Sequence, residues 1–144
     1  MEGWIRKICV ILYIITMVVV LYYEFPKNMD EAPEDIINEK DIHLNGNTVT
    51  VNIPEEYETR WVTFTDTNSM LPTFDYGHHI IEIKCPCSIK VGDIVSFNYE
   101  DKIIIHRVVK IDFRGRYKTK GDNIKETIWV NEEDIIGKAI MVVY

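Results

Sequence analysis

Past its N-terminal third, the chain alternates apolar and polar positions in short runs, a period of two that is typical of β-strands. The runs are TVTVNI, WVTFT, HIIEIK, DIVSFNY, KIIIHRVVKIDF and IIGKAIMVVY. Glycine-containing stretches at Gly77, 91–93, 114–116 and 120–123 fall between the runs, where turns are expected. The pattern predicts a mainly β domain over residues 48–144.

A continuous apolar run lies close to the N-terminus. Residues 8–23, ICVILYIITMVVVLYY, are sixteen positions without a charge, a glycine or a proline, and they would reach about 24 Å as a helix. Trp4 before the run and Phe25 after it are residue types that favour the membrane interface. We interpret 8–23 as a transmembrane anchor. The alternatives are a buried core segment and a cleaved secretion signal, although no small-residue cleavage site follows the run.

The flanks of this run predict its orientation. Arg6 and Lys7 precede it, and positive charge holds a flank in the cytoplasm. Residues 1–7 are therefore expected to form a cytoplasmic tail. The remainder would cross the membrane, which makes the protein a single-pass membrane protein with its β domain on the extracytoplasmic or endoplasmic-reticulum luminal side.

Charge is distributed unevenly along the 144 residues, whose net charge is −7. Segment 24–60 carries ten acidic and three basic residues, so the rest of the chain sums to zero. We interpret 24–47 as an acidic linker, with a short helix after Asp30 as the alternative for its first half. No basic nucleic-acid footprint is present, which argues against DNA or RNA as a partner.

Four residues of zinc-ligand type cluster in HHIIEIKCPC: His78, His79, Cys85 and Cys87. Adjacent histidines on a strand point to opposite faces, and no second pair of ligands occurs elsewhere in the sequence. The spacing therefore argues against a metal site. A disulfide across the single residue between the two cysteines would be strained.

Ser69, in the stretch TDTNSMLPTF, is a candidate nucleophile, and Pro72 prevents a helix from running through it. A serine hydroxyl reacts only when a base takes its proton. Of the four histidines, His106 lies in an apolar strand, where burial fixes the ring and favours the neutral form that a general base needs. The alternative interpretation of His106 is a structural core histidine.

Asp122 follows a glycine in the turn-forming stretch YKTKGDN. Carboxylates in turns usually cap backbone amides. A carboxylate near a histidine base, however, fixes its tautomer and stabilises the imidazolium that forms. Ser69, His106 and Asp122, in that chain order, would complete a charge-relay arrangement.

The segments NSMLPTF, VGDIVSF, IIHRVVKI and YKTKGDN follow one another in this order behind one apolar N-terminal segment. Together they resemble the conserved boxes of the type I signal peptidases, from about residue 64 to the C-terminus. The histidine before arginine in IHRV is similar to the endoplasmic-reticulum and archaeal branch, whereas the bacterial branch has a lysine base there. The resemblance implies a β domain of the signal-peptidase and repressor-peptidase type, with Ser69 as nucleophile and His106 as general base.

The resemblance also implies an activity. A membrane-bound serine endopeptidase of this kind removes signal peptides from secretory preproteins without a cofactor, beside the lipid bilayer and the translocation machinery. The Ser69 N–H and the hydroxyl of Thr67, two residues earlier, would stabilise the oxyanion. Members of this branch commonly carry a second acid about six residues after the first, and this chain has Ile128 at that position. Asp122 is therefore favoured as the acid, with Glu126 in reserve. The resemblance assigns no substrate-binding residue.

Two other functions fit parts of the sequence. A self-cleaving peptidase related to repressors shares a similar β core and an S-M pair, but it normally carries a DNA-binding domain and a lysine base. A non-catalytic binding or assembly module on a membrane stalk would use Ser69 and His106 only to stabilise the fold. Cleavage of a preprotein distinguishes the signal peptidase from both.

Overall fold

The computed structural model describes Trp4 and residues 10–17, 36–84 and 88–144. Within these ranges the chain is mainly β, which confirms the class predicted from the period of two. Short 3₁₀ turns precede the first and the last strand. The strands are β1 (Ile42–Asn45), β2 (Thr48–Val51), β3 (Thr59–Thr63), β4 (His79–Lys84), β5 (Ile94–Tyr99), β6 (Lys102–Ile111), β7 (Tyr117–Lys120), β8 (Thr127–Val130) and β9 (Ile135–Val143).

Seven of these strands form one antiparallel sheet in the order β3-β4-β9-β5-β6-β7-β8. Strands β3 and β8 are its edges. Two clusters of buried side chains pack on the sheet, because alternate residues along each strand share a face. One cluster includes Val95, Phe97 and Val108, and the other includes Met70 and Phe74.

Strands β1 and β2 form a separate two-stranded hairpin. Strand β1 lies inside the segment that the sequence predicted as a linker, so β structure begins six residues before Thr48. The turn contains Gly46 at φ +60°, and Asn-Gly is a strong hairpin signal. Burial gave no sign of this hairpin, because Ile42 and Leu44 are 48% and 75% exposed.

The predicted anchor, 8–23, lies mostly outside the described residues. Its described part, 10–17, is helical. Among the residues described, none of the helices has the length and apolar content needed to cross a bilayer. The predicted tail, apart from Trp4, and the linker up to residue 35 also lie outside the described ranges.

A buried ion pair supports the centre of the sheet. Lys138 on β9 places its Nζ 3.4 Å from Oδ2 of Asp93, and the two side chains are 2% and 4% exposed. The same ammonium donates to the carbonyl oxygen of Ser88 at 2.9 Å. Val95 on β5 lies opposite both Lys138 and His106. The ion pair therefore lies beside the row of residues that holds His106, and removal of either charge alone would leave the other buried without its partner.

Candidate active site

Ser69 lies in the long connection between β3 and β4. The residue before it, Asn68, has a left-handed φ of +54°, which turns the chain sharply. The residue after it, Met70, is 3% exposed, and Phe74 one turn later is 2% exposed. Backbone N–H groups of Thr73 and Phe74 donate to the carbonyl oxygen of Met70. Buried side chains thus fix the turn, which leaves Ser69 half-buried at its surface.

His106 lies in the middle of β6 and is 4% exposed. Its ring packs edge-on against Phe97 on the neighbouring strand, with the centroids 6.0 Å apart. Burial lowers the pKa of His106 below its ordinary value, and this effect exceeds the opposing influence of the Asp122 charge. A lowered pKa keeps the imidazole neutral at physiological pH, which is the form that a general base needs.

The turn after β7 brings Ser69 and His106 together. Its Asn123 N–H donates to the carbonyl oxygen of Ser69 at 2.9 Å, and its Asn123 amide donates to the carbonyl oxygen of Asn68 at 3.1 Å. A Cβ atom on Gly121 would lie 2.6 Å from that Ser69 oxygen and 3.1 Å from Nε2 of His106. The Ser69 carbonyl oxygen and Nε2 of His106 therefore both lie against Gly121, where any larger side chain would clash with them.

Ser69 and His106 line one cleft of about 780 Å³. Thr67 also lines it, and the rest of the wall is largely apolar. Strand β3 forms one side of the cleft, and its residues come from a sheet edge. The apolar lining includes Trp61, Val62, Phe64, Ile103, Ile105, Ile124 and Ile128.

The Ser69 hydroxyl is hydrogen-bonded to the Thr67 hydroxyl at 3.1 Å. Within the described part of the chain, neither the hydroxyl nor the backbone N–H of Ser69 makes a hydrogen bond to the His106 imidazole or to any further group. Catalytic hydrogen bonds are commonly long in a protein without substrate. The Ser69 N–H and the Thr67 hydroxyl are two donors beside the Ser69 hydroxyl oxygen, and they are groups of the kind that form oxyanion sites.

Asp122 does not bond to the imidazole. Its two carboxylate oxygens accept from Nε and Nη2 of Arg107 at 2.8 and 2.7 Å, and one of them also accepts from the Thr73 hydroxyl. These contacts hold the pKa of Asp122 below its usual value although burial opposes them. Adjacent residues on a strand point to opposite faces, so Arg107 takes the carboxylate away from His106. Asp122 reaches the imidazole only through its electric field.

Neither candidate acid fixes the tautomer of His106 by a direct bond. The buried Nδ1 of His106 has no hydrogen-bond partner in the described part of the chain. Glu126, the reserve acid, is exposed, and its carboxylate accepts from the backbone N–H of Lys125. The structure thus brings Ser69 and His106 of the predicted triad to one cleft. The third member, Asp122, forms an ion pair with Arg107 instead.

Arg107 is a residue that sequence reasoning missed. Besides Asp122, it donates to the carbonyl oxygen of Gly92 at 2.9 Å and to the Thr73 hydroxyl at 3.2 Å. One guanidinium thus links the Ser69 turn, the turn before β5 and the turn after β7. The sequence held one indication of this role. Arg107 directly follows His106 on a predicted strand, so its side chain lies on the opposite face of the sheet, where it can bind the Asp122 carboxylate.

The described members of the histidine and cysteine cluster, His78 and His79, make contacts with different partners. His78 accepts the Asp75 N–H through Nδ1 at 2.9 Å, whereas His79 packs against Trp61 with ring centroids 5.0 Å apart. Cys85 and Cys87 lie outside the described ranges. Over the described ranges, no group of three or more metal-ligating side chains is placed to hold an ion.

Scans against protein-family models, curated proteins and solved structures found no significant match for this chain. The function of the cleft is therefore inferred from its own geometry, together with the motif resemblance described above. That geometry consists of a hydroxyl on a turn fixed by buried side chains, a neutral buried imidazole, an unbonded backbone N–H and a neighbouring hydroxyl, all at one apolar cleft.

Proposed function

We propose that the protein is a serine endopeptidase that cleaves signal peptides from translocated preproteins, with Ser69 as nucleophile and His106 as general base. The supporting observation is the convergence of these two residues, 37 positions apart in the sequence, at one cleft and around one glycine. The mainly β sheet and the ordered motifs fit a β domain of the signal-peptidase type.

The chemistry follows from the positions of the groups. The Ser69 oxygen would attack the carbonyl carbon of the scissile peptide while Nε2 of His106 accepts its proton. Negative charge then develops on the former carbonyl oxygen, where the Ser69 N–H and the Thr67 hydroxyl can donate. The imidazolium would return its proton to the leaving amine, and a water molecule would then release the acyl group from Ser69.

Asp122 would act in this reaction by position and charge. Its carboxylate raises the pKa of His106, against the larger lowering effect of burial. That field stabilises the imidazolium in the transition state without a direct hydrogen bond. Its ion pair with Arg107 also holds Gly121 and Asn123 against the Ser69 turn.

The cleft fits an extended, largely apolar peptide. Strand β3 is a sheet edge with β4 as its sheet neighbour, and an unpaired edge can bind a peptide by main-chain hydrogen bonds. Residues of β3 and of the following turn line the cleft up to Ser69. A peptide added along this edge would therefore run toward the hydroxyl.

The setting of the proposed reaction is the membrane surface. The apolar segment 8–23 would anchor the chain with residues 1–7 in the cytoplasm, and the β domain would lie on the extracytoplasmic or luminal side. Signal peptides emerge at that surface as preproteins leave the translocation machinery. The bilayer and the translocation machinery are accordingly the proposed partners.

The activity is tested with the full chain in detergent and a purified preprotein as substrate. We expect a single cut that separates the signal peptide from the mature protein, located by mass spectrometry of both products. As a control, the preprotein with a tryptophan at the residue before that cut should stay intact, because a signal peptidase accepts small residues there. An uncut preprotein, or cuts scattered through the mature protein, would contradict the proposal.

A further inference from the structure

The outer side of strands β6, β7 and β8 carries an unusual arrangement of lysines. Lys110 lies directly opposite Lys118, and Arg107 directly opposite Lys120. Like charges at facing positions of an antiparallel pair destabilise a sheet. Trp129 on β8 faces Lys118 from the other side and completes the row. We call Lys110, Lys118, Lys120 and Trp129 the basic face.

In the described part of the chain, none of the three lysines of the basic face forms an ion pair with a carboxylate, although the charge of Lys120 helps to lower the pKa of Asp122 from a distance. Asp122 is bound by Arg107, and Asp112 by Arg116. Residues 107–120 carry six basic and one acidic residue, in a chain whose net charge is −7. Positive charge is thus concentrated on one side of three strands, a local basic surface that the negative net charge of the whole chain conceals.

Exposed aromatic rings accompany these charges. The Trp129 side chain is 41% exposed, with the Arg116 guanidinium 5.1 Å and the Lys118 ammonium 5.9 Å from its ring centroid. Phe113, at the tip of the β6–β7 turn, is 85% exposed and lies 5.2 Å from the Arg114 guanidinium. Rings flanked by cations are typical of surfaces at the headgroup level of a bilayer.

We infer that the basic face and the Phe113 turn form a docking surface for an anionic lipid bilayer. The lysines would contact headgroup phosphates of the extracytoplasmic or luminal leaflet, while Phe113 and Trp129 enter the interfacial layer. A bilayer fits better than a nucleic acid or an acidic protein, because the proposed anchor keeps the domain beside a membrane at high effective concentration. Docking would fix the orientation of β6 and β7, which carry His106 and lead into Gly121.

The test places an environment-sensitive fluorophore on the Phe113→Cys variant of the full chain, with Cys9, Cys85 and Cys87 replaced by serine. The labelled chain is reconstituted in vesicles of phosphatidylcholine alone or mixed with phosphatidylglycerol. We expect a blue shift of the emission only with phosphatidylglycerol, reversed by high salt because salt screens the attraction. Each lysine-to-glutamine change on the basic face should lower the docked-to-free ratio about fivefold.

The matched control is Lys84→Gln, which removes an equal charge on β4, three strands away from β6 in the sheet, and should leave the emission unchanged. Equal emission in both lipids would overturn the inference. So would a shift produced only by an acidic peptide or a single-stranded oligonucleotide added in detergent. The label reports position 113 without any substrate, so a Ser69→Ala background should give the same result. Failure of docking is thereby distinguishable from failure of the proposed peptidase activity.

Discussion

Ser69→Ala is expected to reduce preprotein cleavage about 10⁴-fold or more, and His106→Asn by a similar factor. In the proposed reaction the hydroxyl would supply the bond-forming oxygen and the imidazole would remove its proton, so either change should stop the same step. Because the two groups act as a unit, the double variant should be no slower than the slower single variant. The measurement is single-turnover cleavage of the preprotein with enzyme in excess.

The matched control for this comparison is Ser88→Ala. The Ser88 side chain is exposed, and it is the backbone carbonyl of Ser88 that accepts from Lys138, so the change should leave the cleavage rate as it is. Thermal unfolding should show that both active-site variants stay folded. If Ser69→Ala cleaved at the wild-type rate, or if the losses in Ser69→Ala and His106→Asn multiplied in the double variant, the shared step would be excluded.

Gly121→Ala is expected to reduce cleavage about 10²-fold or more, since a displacement of about 1 Å at an active site can have that effect. An added Cβ would lie 2.6 Å from the Ser69 carbonyl oxygen and 3.1 Å from Nε2 of His106. The Ser69 oxygen belongs to the backbone of a turn held by buried side chains. The turn after β7 must therefore move away, which breaks the hydrogen bond that its Asn123 N–H donates to the Ser69 carbonyl oxygen.

Gly115→Ala is the control for this second prediction. Gly115 has φ +78° but no atom within 4 Å of an added Cβ, so alanine there should lower stability by about 1 kcal/mol and leave the activity unchanged. Cleavage rates and unfolding midpoints are measured for both variants. Wild-type cleavage by Gly121→Ala would show that the contact at this glycine does not position the two groups.

Much of the sheet was predictable because burial on one face imposes a period of two. The run HIIEIK corresponds to β4 at both ends, and KIIIHRVVKIDF contains all of β6. Strand β1 was missed because its apolar residues face outward and resemble a polar linker. Strand β8 was also missed: it is short, and its large apolar residue Trp129 is exposed on the outer side of the sheet, so burial imposes little alternation on it.

The candidate site was predictable in part. The motif resemblance implied Ser69 and His106 as a pair, and both line one cleft. The hydrogen-bond partner of Asp122 was predicted wrongly. Arg107 and His106 are adjacent in the sequence, and the charged guanidinium binds the carboxylate through two hydrogen bonds, which a neutral imidazole cannot do. The role of Gly121 depends on two chain segments that meet only in three dimensions.

The central claim is that His106 activates the Ser69 oxygen, and modification by a fluorophosphonate reagent across pH tests it most directly. We predict an adduct on Ser69 whose formation rate rises with pH to a plateau, with its midpoint below the ordinary histidine pKa of about 6.5 because burial lowers the pKa of His106. Asp122→Asn removes the charge that raises this pKa, so its midpoint should lie at still lower pH. An adduct elsewhere, or a Ser69 adduct that forms equally fast in His106→Asn, would contradict the claim.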